Sequence, residues 1–110
     1  MRKLSFDPYE FDPPSSEQFL ELAISRLQEH RDLETFLKEC GASATSGRPV
    51  DPGWNRWQGI GMNLESFAGL SLPPFDECVE IVLLGDDWDD TELAIKTAAH
   101  FVWYHWYTTA

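Results

Sequence analysis

Basic residues and cysteines are scarce in this 110-residue chain, and each shortage excludes a class of protein. Eight lysines and arginines stand against 19 aspartates and glutamates, which gives a formal net charge of -11. A protein that binds nucleic-acid phosphates needs a basic surface, and so does one that binds an anionic membrane. Two cysteines, Cys40 and Cys78, are too few for a secreted disulfide scaffold, so both thiols are expected to be reduced.

Long apolar segments are also missing from the chain. The longest uninterrupted apolar runs are the four residues 81–84 and the four residues 101–104, which are too short for a transmembrane helix. No apolar segment follows the basic residues Arg2 and Lys3, so a signal peptide is not expected. The sequence therefore predicts a cytoplasmic protein.

Motifs for catalysis and metal binding do not occur in the sequence. There is no glycine-rich phosphate loop and no nucleophile elbow. His100 and His105 do not have the spacing of a zinc pair on a helix, and the aspartates around Trp88 do not match an EF-hand loop. We therefore predict a protein that is not an enzyme, with no catalytic residue, metal or cofactor, and with His105 as a hydrogen-bonded core histidine.

Apolar residues are plentiful enough to form a core. Hydrophobic residues make up 43% of the chain and aromatic residues 14%, which predicts one globular domain over residues 1–110. Residues 1–14 contain three prolines and are expected to form an extended N-terminal arm. The arm is expected to pack on the body through Phe6, Tyr9 and Phe11.

Apolar spacing predicts a mainly α fold, a small bundle of four to five helices with short loops. The first helix is expected at 16–29, and a second begins at Asp32 as N-cap and ends at Gly41. Residues 42–53 have the composition of a loop.

Residues 54–107 are harder to assign. The glycines within 54–70 oppose a long helix, so we expect a short helical turn at Trp54 to Trp57 and a second short helix from Asn63 to Ala68. Residues 71–84 have helix signals at both ends, although a strand near 77–84 in an α+β fold is the alternative. The final helix is expected from Asp89 or Asp90 to Tyr107 and is apolar nearly all round its last turns.

Acidic residues are concentrated before this last segment. Eight of the nine acidic residues in 54–110 lie between Asp76 and Glu92. One aspartate is enough to cap a helix, so four aspartates around Trp88 indicate a contact surface for a basic partner. The predicted partner-binding residues are Asp76, Glu77, Asp86, Asp87, Trp88, Asp89, Asp90, Glu92, Trp103 and Tyr107.

The function predicted from these features is that of a non-enzymatic acidic binding protein. It would inhibit a partner by docking on the basic surface with which that partner binds nucleic acid, by analogy with phage anti-CRISPR and anti-restriction inhibitors. One alternative is an immunity protein or antitoxin that neutralises a toxin. Another is a structural module that oligomerises through the aromatic C-terminal helix.

Overall fold

A computed structural model describes residues 1–42, 47–54 and 56–109 of the protein. The strands are β1 (Arg2–Phe6), β2 (Gln18–Arg26), β3 (Glu80–Asp87), β4 (Asp90–Lys96) and β5 (His100–Thr108). The helices are α1 (Leu33–Glu39) and α2 (Trp57–Ala68). This is an α+β fold, so the predicted helical bundle is wrong and the alternative with a strand near 77–84 is right in its fold class.

The strands form one antiparallel sheet in the order β1-β2-β5-β4-β3. Helix α2 lies over one face of the sheet, here called the α2 face. Its core contains Ile60 and Leu64 of α2 packed on strand residues Leu20, Leu22, Leu93, Ile95, Val102 and Tyr104. Helix α1 lies on the opposite face, the α1 face, where its core residues Leu33, Phe36 and Leu37 pack on Ala23, Ala94, Phe101 and Trp103.

The central position of β5 explains why the final helix predicted from Asp89 or Asp90 to Tyr107 is wrong. Consecutive side chains of a strand point to opposite faces, and Phe101 to Tyr104 are all buried because helices cover both faces. A strand buried on both sides has the same all-round apolar pattern as a buried helix. The turn before β5 is closed by Thr97, whose Oγ1 accepts hydrogen bonds from the backbone N–H groups of Ala99 and His100.

The predicted helix at 16–29 is wrong for the same reason. In β2, Leu20 and Leu22 face α2 while Ala23 faces α1, so the apolar spacing matched a helix without forming one. Residues 80–87 form strand β3, although the sequence favoured a helix over 71–84. Their β-branched residues pair with β4, with Ile81 opposite Ile95 and Val82 opposite Ala94.

Helix α1 confirms the prediction made from its two ends. The Asp32 carboxylate accepts the backbone N–H of Thr35 at 2.8 Å, as an N-cap does. Beyond its last turn, Gly41 has a left-handed φ of 79°, which suits the residue after the C-cap. Residues 43–46 of the loop predicted at 42–53 lie outside the described residues.

Helix α2 is a single helix, so the prediction of two short helices is wrong. It passes through Gly59 and Gly61 and ends at Ala68, as expected, before Gly69 with a φ of 64°. Asn63 does not cap a helix, because its side-chain amide donates to the Tyr104 hydroxyl at 2.8 Å.

Only part of the N-terminal arm predicted at 1–14 is extended: residues 2–6 form the edge strand β1, and Pro8–Glu10 form a 3-10 helical turn. Phe6 and Phe11 pack on Phe67 of α2, with ring centroids 4.6 and 5.3 Å away. Tyr9 is 75% exposed, so its predicted packing on the body is wrong. Among the described residues, no helix is long and apolar enough to cross a membrane.

Candidate functional site

One end of the sheet collects acidic residues from two distant parts of the sequence. Strand β1 ends there at Phe6 and β2 begins there at Gln18, beside the β3–β4 turn. The backbone ties these segments together, since Thr108 donates to the Asp89 carbonyl and Thr109 donates to the Glu17 carbonyl. We call this surface the acidic end and define it by Asp7, Glu10, Asp12, Glu17, Asp87, Asp89 and Asp90.

The hairpin turn between β3 and β4 is the most exposed part of the acidic end. Trp88 and Asp89 form the two-residue turn, and the Trp88 side chain is 69% exposed. The sequence predicts that Asp89 or Asp90 caps a helix, and this prediction is wrong. Asp89 lies in the turn and Asp90 begins β4. An exposed indole between carboxylates offers both a ring face and hydrogen-bond acceptors to a guanidinium group.

Asp86 belongs to the same segment but is already engaged by arginines. Its carboxylate lies 3.1 Å from Arg56 and 3.3 Å from Arg48. The register shift between Leu83 and Gly85 places Asp86 opposite Thr91, which points to the α2 face. Asp86 therefore anchors the loop and helix on that face, and its charge is matched within the protein.

The part of the α1 face that the α1 core leaves open carries a row of aromatic rings. Tyr107 stacks on Phe19 at 5.1 Å, and His105 lies 5.0 Å from Tyr107, measured between ring centroids. The predicted core position of His105 is wrong, because its side chain is 22% exposed, although the ring is hydrogen-bonded as expected, to Asp90 at 2.9 Å. We call Phe19, His105 and Tyr107 the aromatic row; it adjoins the acidic end.

Trp103 and Glu92 lie beside the aromatic row on the α1 face, with the Trp103 and His105 ring centroids 5.8 Å apart. Trp103 is only 8% exposed, and its indole N–H donates to Glu92 at 2.8 Å. Cys40 of the α1 core lies beside Trp103 at a small cavity, and burial raises the pKa of its thiol to about 11. The thiol therefore stays protonated and poorly nucleophilic at neutral pH.

The structure brings together only some of the predicted contact residues. Asp87, Trp88, Asp89, Asp90 and Tyr107 meet at the acidic end and the aromatic row, with Glu92 just behind them. Asp76 and Glu77 lie in a helical turn, Phe75–Glu77, that leads into the opposite end of β3. Sequence reasoning missed Asp7, Glu10, Asp12 and Glu17, whose position depends on the pairing of β1, β2 and β5.

A serine–histidine–glutamate chain on the opposite side has the spacing of a catalytic relay. Ser25 Oγ lies 2.7 Å from His30 Nδ1, and His30 Nε2 lies 2.8 Å from Glu39. Ser25 is only 2% exposed, and its Oγ also contacts Glu29 at 3.0 Å. The hydroxyl is therefore buried, and the chain of contacts joins β2 to the end of α1.

No cluster of three or more potential ligands for a metal ion occurs within residues 1–42, 47–54 and 56–109. Comparison with protein-family models, with curated proteins and with solved structures gives no match.

Proposed function

We propose that the protein is a non-enzymatic inhibitor that docks its acidic end on the basic, nucleic-acid-binding surface of a cytoplasmic partner protein. The observation that supports this most is the gathering of carboxylates from residues 7–17 and 87–90 at one end of the sheet. Neither segment contains a lysine or arginine. The acidic end therefore has the single-sign charge that a nucleic acid presents to its binding protein.

Charge of one sign at one place favours association with a surface of the opposite sign. Adjacent strands lie about 5 Å apart, within the Debye length of roughly 8 Å at physiological salt, so the fields of carboxylates on β1 and β2 add, as do those on β3 and β4. Strand β5 separates the two groups, which form two neighbouring acidic patches. Such a field speeds encounter with a basic partner and aligns it before contact. In this arrangement the carboxylates occupy the positions that phosphates take in the partner's normal complex.

The aromatic side chains offer apolar and ring-face contacts to a partner, which the carboxylates do not. Trp88 projects at the tip, where it can cover an arginine guanidinium held by Asp87 and Asp89. Large aromatic residues at the centre of an interface carry a disproportionate share of binding energy. Tyr107 and Phe19 extend the apolar contact along the sheet.

The experiment is capture of partners from bacterial lysate on the immobilised protein, with two variants that each remove three negative charges. The end variant carries Asp87→Asn, Asp89→Asn and Glu17→Gln. The matched control carries Asp76→Asn, Glu77→Gln and Glu80→Gln, all exposed and at the opposite end.

Wild type and the control variant are expected to capture the same nucleic-acid-binding protein, and added nucleic acid should compete. The end variant is expected to bind at least about tenfold more weakly, with a smaller salt dependence. Equal weakening by both variants would mean that only net charge matters. Undiminished capture by the end variant would refute the proposed docking surface.

A further inference from the structure

A cleft on the α2 face lies between the first turns of α2 and the ends of β4 and β5. Its volume is about 380 Å³, within the range of small-molecule sites. Two indoles, Trp88 and Trp106, line it together with Asn63 and Tyr104. It opens beside the hairpin turn, so Trp88 borders both the cleft and the acidic end.

Two amide side chains are held in fixed orientations at this cleft. Asn63 donates from Nδ2 to the Tyr104 hydroxyl at 2.8 Å, and Gln18 accepts the Trp106 indole N–H through Oε1 at 3.2 Å. These contacts use the donor of one amide and the acceptor of the other. The Asn63 carbonyl oxygen and the Gln18 amino group are therefore left to offer a ligand one acceptor and one donor.

The charges around the cleft decide which ligands fit. Arg56 lines the wall, but it is fixed by Thr91 Oγ1 at 2.6 Å, by the Asp87 carbonyl at 3.1 Å and by the Asp86 carboxylate at 3.1 Å. Its charge is thus matched internally, while the surrounding surface is acidic. An anionic ligand is repelled by that surface, so a ligand without negative charge is favoured.

We propose that this cleft binds the uncharged heteroaromatic ring of a nucleoside. Indole faces stack on bases with little regard to sequence, and asparagine and glutamine amides pair with the donor and acceptor edge of a base. The net charge of -11 excludes a polynucleotide, so the ligand is a free nucleoside and not a strand.

The test is a fluorescence titration of the intact protein with adenosine, guanosine, cytidine and uridine in turn. At least one purine nucleoside is expected to quench tryptophan emission with a dissociation constant of about 0.1 mM, which is typical for a ligand of this size. The corresponding monophosphate should bind about fivefold more weakly because of the acidic surroundings. A W88F variant should lose most of the quenching.

Gly59→Leu fills the cleft without removing a native contact. Gly59 lines it, and a Cβ built there meets no atom within 4 Å. This variant is expected to bind the nucleoside at least about tenfold more weakly, while Gln58→Leu, which introduces a leucine at the exposed neighbouring position, should bind like wild type. The proposal is overturned if no nucleoside quenches at about 5 mM, or if Gly59→Leu binds normally. It is equally overturned if Gly59→Leu abolishes only capture of a protein partner, because the cleft would then hold a side chain of that partner.

Discussion

Replacing Gly61 by alanine is expected to stabilise the protein, although the sequence predicts that the glycines within 54–70 oppose a long helix. Gly61 lies in the middle of α2, and its φ is not in the left-handed region. A Cβ at this position would meet Leu72 at 3.8 Å, an ordinary van der Waals contact. Alanine therefore removes the conformational cost of glycine within a helix without a clash.

The magnitude follows from helix propensity. Glycine in a helix interior costs about 1 kcal/mol relative to alanine, and the new contact with Leu72 adds to the gain. The same substitution at Gly69 should have the opposite sign, because a residue with a Cβ pays about 1 to 2 kcal/mol at a left-handed φ of 64°. Two identical chemical changes eight residues apart should thus shift the free energy of unfolding in opposite directions.

Urea denaturation followed by tryptophan fluorescence measures both effects. With a slope of about 1.5 kcal/mol per molar urea, Gly61→Ala should raise the midpoint by about 0.7 M, and Gly69→Ala should lower it by at least as much. The corresponding thermal shifts are about 4 °C. If Gly61→Ala lowered the midpoint, α2 could not be a continuous helix at that residue. The pair of short helices predicted from the sequence would then regain support.

Three further predictions concern buried groups. His30→Ala should lower the free energy of unfolding by about 2 kcal/mol, because the contacts of the ring with Ser25 and Glu39 and its packing on Phe36 are lost together. Glu39→Gln keeps a hydrogen-bond acceptor for His30, so in the same urea assay it should cost less than half as much. Burial raises the pKa of Tyr104 to about 12, above the value of about 10 in the unfolded chain, so its contribution is full below pH 10 and is lost as the pH rises from 10 to 12. Wild type should therefore lose up to about 1.4 kcal/mol per pH unit more than Tyr104→Phe in that window, and parallel curves would contradict the assignment. Buried Cys40 should react with a disulfide reagent only after unfolding in urea, and a fast reaction in the native protein would show that the α1 core opens.

Elements with local signals could be predicted from the sequence, and α1 is the example. Asp32 caps the helix through a residue three positions away, and Gly41 ends it through its own backbone conformation. Both signals lie within one helix length of chain. They therefore do not depend on what the rest of the protein does.

Strands β2 and β5 could not be predicted because their apolar pattern is set by distant residues. Leu22 is buried by α2, while its neighbour Ala23 is buried by α1. Helix α2, which buries Leu22, lies farther along the chain than the roughly 11 to 18 residues over which a hydrophobic period is measured. When both faces are covered, the alternation that identifies a strand is lost.

The candidate site was half predictable for a related reason. Four aspartates around Trp88 stand out in the sequence, so the sequence alone predicts this segment as part of a contact surface. The carboxylates of residues 7–17 join it only because Gln18 pairs with Thr108 at the same end of the sheet. The sequence predicts Asp86 as a contact residue because its neighbours are acidic. In the structure, its carboxylate is paired with Arg48 and Arg56, so it does not add to the charge of the acidic end.

The hairpin turn has a sequence that does not favour its own folding, which supports the proposed contact role of Trp88. Two-residue hairpin loops favour Asn-Gly or Asp-Gly, because the best-fitting turns need a positive φ. Here the loop is Trp88 and Asp89, and no described non-glycine residue has a positive φ. The turn therefore has neither the sequence nor the geometry that hairpin stability prefers. Its large indole is exposed to water and flanked by carboxylates that repel one another, and a basic partner would relieve both costs.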